Sequence, residues 1–212
     1  MIKALLFDFD GLIIDTESPD YQTWVEIFDE YGATMTKETW SSHIGGIGRF
    51  NPFDYLEEQI GREVDRKTLH MQRATRFREI CEQQPILPGV LEMIQAAKAR
   101  DLKLAVASNS FGKWVNNHLK RLNLFNEFDQ IICLDQITIG KPEPKMYLTT
   151  IRLLGVKRQE AIAFEDSPAG AMGAKRAGVY TIAIPNDMTR HMDFSHCDRV
   201  VSSMVDLDID DL

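Results

Sequence analysis

Long apolar runs are missing from this chain of 212 residues. No stretch approaches the roughly 18 residues that a membrane-crossing helix needs. The opening "MIKALLF" breaks at Asp8, too early for the apolar segment of a secretory leader. Cysteine is scarce: Cys81, Cys133 and Cys197 lie far apart, with no CxxC pair and no Cys/His cluster. That spacing argues against structural zinc and allows one disulfide at most. Reduced thiols in a cytoplasmic protein are the expectation. Positive charge is short as well. Lys and Arg number 24 against 32 Asp and Glu, a formal charge of −8. An acidic chain is a poor nucleic-acid binder, and neither a nucleic acid nor a membrane is expected as partner. Repeats and low-complexity segments are absent too. What is present is ordinary for a folded enzyme: 44% hydrophobic and 26% charged residues, enough for one large domain or two small ones.

The pattern along the chain changes twice. "KALLFDFD" reads as a buried strand, apolar without alternation until its carboxylates. Helical signals follow with no strand among them. Tyr21, Trp24, Val25 and Phe28 share a helical spacing over Pro19–Tyr31, closed by Gly32. Asn51 and Pro52 suit the start of "FDYLEEQI", which Gly61 closes, and another helix runs from Asp65 to about Cys81. After Pro85, Pro88 and Gly89, helices alternate with short apolar runs: "LKLAVAS", "QIICL", "AIAFED" and "YTIAIP". "DRVV" is a possible edge strand. The acidic tail "DLDIDDL" is expected to fray. Strand–helix alternation implies a doubly wound, Rossmann-like parallel sheet with helices on both faces. The spacing predicts an α/β core of residues 1–15 and 85–212, with an inserted all-helical domain over 16–84.

In such a sheet, ligands bind beyond the carboxyl ends of the strands. The first strand ends in Asp8 and Asp10, the next in Ser108, Asn109 and Ser110. "QIICL" leads to Lys141 and Pro142, and "AIAFED" ends in Glu165 and Asp166, before Ser167. Each piece has a plain reading: a solvated strand end, a turn, a loop that carries a lysine, a helix N-cap. Four acids on neighbouring strand ends make a hard oxygen site suited to Mg²⁺. A lysine and neutral donors facing them suit a phosphoryl group. The placement of all these residues at four separate strand ends makes chance a poor explanation.

The segments "FDFDGLIIDT", "VASNS", "GKPEP" and "FEDSPAGAMGAKRAG", in that order, resemble the haloacid dehalogenase superfamily of phosphohydrolases and phosphomutases. The similarity is greatest to its β-phosphoglucomutase-like branch of small phosphatases, and the helical insertion sits where that family carries a cap. The resemblance implies a Mg²⁺-dependent phosphatase acting on a small phosphate monoester. Asp8 would be the nucleophile that forms an aspartyl-phosphate. Asp10 would be the general acid and base, with a pKa raised by neighbouring charge, and its main-chain carbonyl would bind the metal. Asp166 would be a direct metal ligand and Glu165 more distant, or the two would exchange places. Ser108 and Asn109 would donate to phosphoryl oxygens, and Lys141 would neutralise charge beside Asp8.

The cap would set specificity. In "HIGGIGRFNPF" the glycines Gly45, Gly46 and Gly48 permit a loop from which Arg49 would hold a substrate phosphate or carboxylate. Arg73 and Arg76 read as a solvated helix face, and His43, His70 and His118 share no metal spacing. A sugar phosphomutase is the alternative. Those enzymes carry a histidine in the first cap helix where this chain has Asp20, so the mutase ranks behind the hydrolase. A haloacid dehalogenase would need neither Asp10 nor the Glu165–Asp166 pair, and a phosphonatase would need a lysine in the first cap helix. A non-catalytic phosphate-binding module ranks last, because every catalytic residue type is present. A monomer is expected.

Overall fold

The computed structural model describes residues 1–41 and 50–212. By contacts the chain divides into two compact units: Met1–Ile14 with Pro85–Leu212, and Asp15–Gln84.

The first unit is a six-stranded sheet. Its strands are β1 (Ala4–Phe7), β2 (Lys103–Ala107), β3 (Gln130–Ile132), β4 (Ala161–Glu165), β5 (Tyr180–Ala183) and β6 (Arg199–Val200). Their spatial order is β3-β2-β1-β4-β5-β6, and every pairing is parallel. The order reverses at β1, so the crevice at its carboxyl end is the switch point where such sheets bind ligands.

Side-chain size explains how helices cover both faces. Leu5, Phe7, Leu104, Val106, Ile162 and Phe164 point to one face and belong to a single buried cluster. It is completed by Val90, Met93 and Ile94 of α5 (Val90–Lys98) and by Val115 and Leu119 of α6 (Gly112–Arg121). The alternate residues are small: Ala4, Ala105, Ala107, Ala161 and Ala163. Those alanines let larger side chains come down onto the sheet from α7 (Lys145–Leu154), notably Met146, Tyr147 and Ile151. Ala174 of α8 (Pro168–Arg176) joins them. Full burial of a side chain such as Phe7 contributes about 1.5–3 kcal/mol.

Register fixes the site. Phe7 lies opposite both Val106 and Phe164. Asp8 therefore leaves its strand level with Glu165 on one side and with the Ala107–Ser108 end on the other. Its own N–H still donates to the Phe164 carbonyl at 3.0 Å.

The second unit holds α1 (Glu17–Glu30), α2 (Lys37–Ser41), α3 (Pro52–Ile60) and α4 (Arg66–Cys81). Asn51 caps α3 by accepting from the Phe53 N–H, and Gly61 ends it at φ +67°. The Asp65 side chain caps α4 by accepting from the Thr68 N–H. Trp24, Ile27, Phe28, Leu56 and Leu69 are its buried centre.

Two expectations need correction, and one short helix had no counterpart among them. The helix read from Pro19 begins at Glu17, since proline is tolerated in a first turn. The short α2 gave no periodic signal. The acidic tail does not fray: Ile209–Asp211 forms a 3₁₀ turn, and Ile209 and Leu212 pack against the larger sheet cluster. Apolar residues spaced between the acids supply the anchor. Among the described residues no helix is long and apolar enough to cross a membrane.

Candidate active site

Asp8, Glu165 and Asp166 converge beyond the ends of β1 and β4. Each offers one carboxylate oxygen, the three oxygens lie within 4.8 Å of one another, and all three residues are buried. Lys141 Nζ stands 2.8 Å from Asp8 Oδ1 and 2.7 Å from Glu165 Oε1. Burial acts to lower the pKa of this ammonium, but the Asp8 and Glu165 carboxylates outweigh it and hold it well above the usual lysine value. Phe9 N–H also donates to Asp8 Oδ1, at 2.6 Å. Glu165 accepts from the buried Tyr147 hydroxyl. Burial first, and then Asp8, raise the Glu165 pKa, against the pull of Lys141.

Asp10 faces elsewhere. Its Oδ2 accepts from Ser110 Oγ at 2.6 Å and from Ser108 Oγ at 3.3 Å, and its Oδ1 accepts from Trp114 Nε1 at 2.9 Å. Burial is the main force raising the Asp10 pKa. The Ser110 bond opposes it, Asp8 adds to it, and the Trp114 and Ser108 bonds oppose it again. Two acids one residue apart thus have different surroundings, one beside a lysine and one among neutral donors.

The turn after Asp10 is tight for a reason. Gly11 has φ +74°, and a Cβ there would collide with Asp166 Oδ2. Asn186, just past β5, donates from Nδ2 to Asp166 Oδ2 at 2.7 Å. Thr189 Oγ1 donates to the Asp166 carbonyl at 2.7 Å.

The structure therefore brings Asp8, Asp10, Ser108, Lys141, Glu165 and Asp166 to one end of the sheet. The Asn109 side chain holds the lysine loop. Its Nδ2 donates to the Lys141 carbonyl at 3.1 Å, and its Oδ1 accepts from the Lys141 N–H at 2.8 Å. Those two bonds clamp the side chain onto the Lys141 main chain. Ser108 Oγ is likewise engaged, with Asp10 and with the Ser110 N–H. Arg49, Gly45, Gly46, Gly48 and His43 lie outside the described residues. Arg73 is not a solvated side chain as expected. It is 17% exposed, pairs with Asp20, reaches Thr23 Oγ1 at 3.2 Å and covers the Trp24 ring at 4.7 Å. Arg76 is half exposed and bonds to Glu26, 3.1 Å from Oε2.

Sequence reasoning gave no role to Trp114, Tyr147, Asn186 or Thr189, and it named Ser110 only as a strand-end donor. Tyr147 and Trp114 sit inside helices, where an aromatic reads as core. Asn186 follows "YTIAIP" directly, so the strand-end rule that found the acids had the signal to find it.

Four acids and one lysine thus gather at the carboxyl ends of a parallel sheet. Fold and site together define a doubly wound α/β protein with three buried acids that could hold a cation and a lysine beside them. Residues 5–184 match the family model for haloacid dehalogenase-like hydrolases. YhcW of Bacillus subtilis (strain 168) is 42% identical over 209 residues, 99% of this chain and 95% of that protein. A phosphorylated carbohydrates phosphatase of Thermotoga maritima is 30% identical over 184 residues, 85% of this chain and 84% of that protein. Crystal structures of CbbY from Rhodobacter sphaeroides, one with phosphate and one with xylulose-1,5-bisphosphate, superpose with a TM-score of 0.77 at 28% identity. They cover 98% of this chain and 96% of theirs. The chain belongs to the haloacid dehalogenase-like hydrolases.

Proposed function

We propose that this hydrolase is a Mg²⁺-dependent phosphatase that cleaves a small phosphate monoester, a sugar phosphate or similar metabolite, through an aspartyl-phosphate. The observation that carries this reading is the unequal treatment of Asp8 and Asp10. The first is held beside Lys141 as a charged nucleophile. Burial biases the second toward holding a proton.

The donor set fits Mg²⁺. Asp8 and Asp166 supply buried carboxylate oxygens, and the Asp10 main-chain carbonyl, the further donor the family resemblance implies, would add a third hard oxygen. Glu165 is tied to Lys141 and Tyr147 and supports them. The bound ion would reduce the repulsion between an anionic nucleophile and an anionic ester.

Asp8 attacks phosphorus, and the ester oxygen departs with the proton held on the Asp10 carboxyl. Asp10, now a carboxylate, takes a proton from water. That water's oxygen attacks the phosphorus of the aspartyl-phosphate, releasing inorganic phosphate and restoring Asp8. Lys141 offsets charge at the nucleophile throughout. Asn109 contributes by fixing the Lys141 main chain. The helical unit would select the substrate, with Arg49 as its anchoring cation. Asp20 is occupied by Arg73, which favours the hydrolase over the mutase. The relatives support the substrate class: one is named for phosphorylated carbohydrates, and CbbY is seen with phosphate and with a sugar bisphosphate. The three cysteines, none of them in a disulfide, suit a cytoplasmic protein.

The test is release of inorganic phosphate from a library of metabolite phosphates, with and without Mg²⁺, against Asp8→Asn. Wild type should turn over a subset, and Asp8→Asn should lose at least about 10³-fold in kcat, as removal of a nucleophile does. Equal inertness of the two proteins across the library would sink the proposal.

A further inference from the structure

We infer that Asn186, braced by Thr189, is the positioning residue that sets the Asp166 carboxylate for the cation. This rests on the reading that Asp166 holds Mg²⁺.

The need for such a residue is electrostatic. Asp166 shares its pocket with the oxygens of Asp8 and Glu165, all within 4.8 Å. Like charges that close push a mobile carboxylate out of line unless donors fix it. Lys141 answers for Asp8 and Glu165. Asn186 Nδ2 reaches Asp166 Oδ2 at 2.7 Å and the Gly11 carbonyl at 3.4 Å. One amide thus joins the end of β5 to Asp166 and to the turn that follows Asp10.

Asn186 is itself fixed. Its Oδ1 accepts from the Met188 N–H at 2.9 Å, which assigns Nδ2 to the acid. Its own N–H donates to Thr189 Oγ1 at 3.1 Å, and that hydroxyl donates to the Asp166 carbonyl at 2.7 Å. The loop therefore grips Asp166 at both side chain and main chain. Space is closed on the far side, because a Cβ at Gly11 would lie 2.8 Å from Asn186 Nδ2. A neutral donor fits this position, since it orients the carboxylate without cancelling the charge that attracts the cation. Partners that orient metal ligands typically carry about 10–100-fold in metal affinity.

A loop that merely closes on itself would affect folding and leave the metal alone. The test is a Mn²⁺ titration followed by electron paramagnetic resonance, which reads binding without turnover. It uses wild type, Asn186→Ala, Thr189→Val and Thr189→Ser, with the unfolding temperature of each measured in chelator as a fold control. Asn186→Ala should bind Mn²⁺ about tenfold or more weakly while still unfolding cooperatively. Thr189→Val should weaken binding, and Thr189→Ser, which keeps the hydroxyl, should restore it. If Asn186→Ala does not fold, the Val and Ser pair decides. Equal Mn²⁺ affinity in wild type and the folded variants overturns the inference. Failure of wild type itself to bind Mn²⁺ overturns instead the cation reading beneath it, and the inference with it.

Discussion

Asp10 carries the sharpest consequence at the scale of single residues. In the proposed role of general acid it must hold a proton, so kcat/KM should fall as pH rises through its folded pKa. Burial and Asp8 raise that pKa, while the Ser110 and Trp114 bonds, which stabilise the anion, lower it. Removing either donor raises it further and carries the alkaline limb to higher pH. Ser110→Ala should move the limb more than Trp114→Phe, because the Ser110 bond is the stronger of the two opposing effects. A pH–rate profile for each variant checks this, and a limb that stays put or moves to lower pH contradicts the assignment of Asp10. The residue-level site was readable only in part. Charge at a strand end is visible in sequence because it interrupts an apolar run, which is how Asp8, Asp10, Glu165 and Asp166 appear. The partners that give each acid its character come from elsewhere in the chain. Trp114 is 104 residues from Asp10, and Asn186 is 20 from Asp166. Only the parallel register brings them together.

Among the elements, α8 bears most directly on the site, because it begins immediately after Asp166. Ser167 caps it by accepting from the Gly170 N–H at 3.2 Å, and Pro168 occupies the first turn. Gly170 has no side chain to spare: a Cβ there would collide with Glu165 Oε2. The start of this helix therefore holds the main chain on which both acids hang. Ser167→Ala should cost about 0.5–2 kcal/mol of stability, as lost N-caps do. Urea unfolding with and without Mg²⁺ measures it, and an unchanged midpoint would show that the cap carries nothing. Elements of this kind were legible because their punctuation is local: Ser-Pro before α8, Asn-Pro before α3, Gly61 after it. α2 and the 3₁₀ turns escaped because three to five residues give no period to read. Arg73 was misjudged for a related reason. A helix pattern rich in charge reads as solvated, and nothing local shows that Trp24 and Asp20 on another helix cover one of its arginines.

Across the sheet unit, chemistry and anchorage lie at opposite ends of the strands. The acids and Lys141 gather at the carboxyl ends, while Ile209, Asp210 and Leu212 share one cavity lining with Met1, Ile2, Lys3 and Lys103 at the amino ends of β1 and β2. Arg100 Nε meets Asp210 Oδ1 at 3.1 Å, and Ile209 and Leu212 pack on the larger cluster. The ion pair is exposed, so the apolar contacts carry most of the attachment. Removal of residues 209–212 should therefore cost stability without touching catalysis. Two partly buried apolar side chains correspond to about 1–3 kcal/mol. The urea midpoint should fall by the equivalent amount, with kcat and Mn²⁺ affinity unchanged at temperatures where the shortened chain is folded. Arg100→Ala alone should shift the midpoint far less. If the shortened chain keeps its midpoint but loses turnover, the two ends of the sheet are coupled, and the separation of anchorage from chemistry argued from the strand ends is wrong.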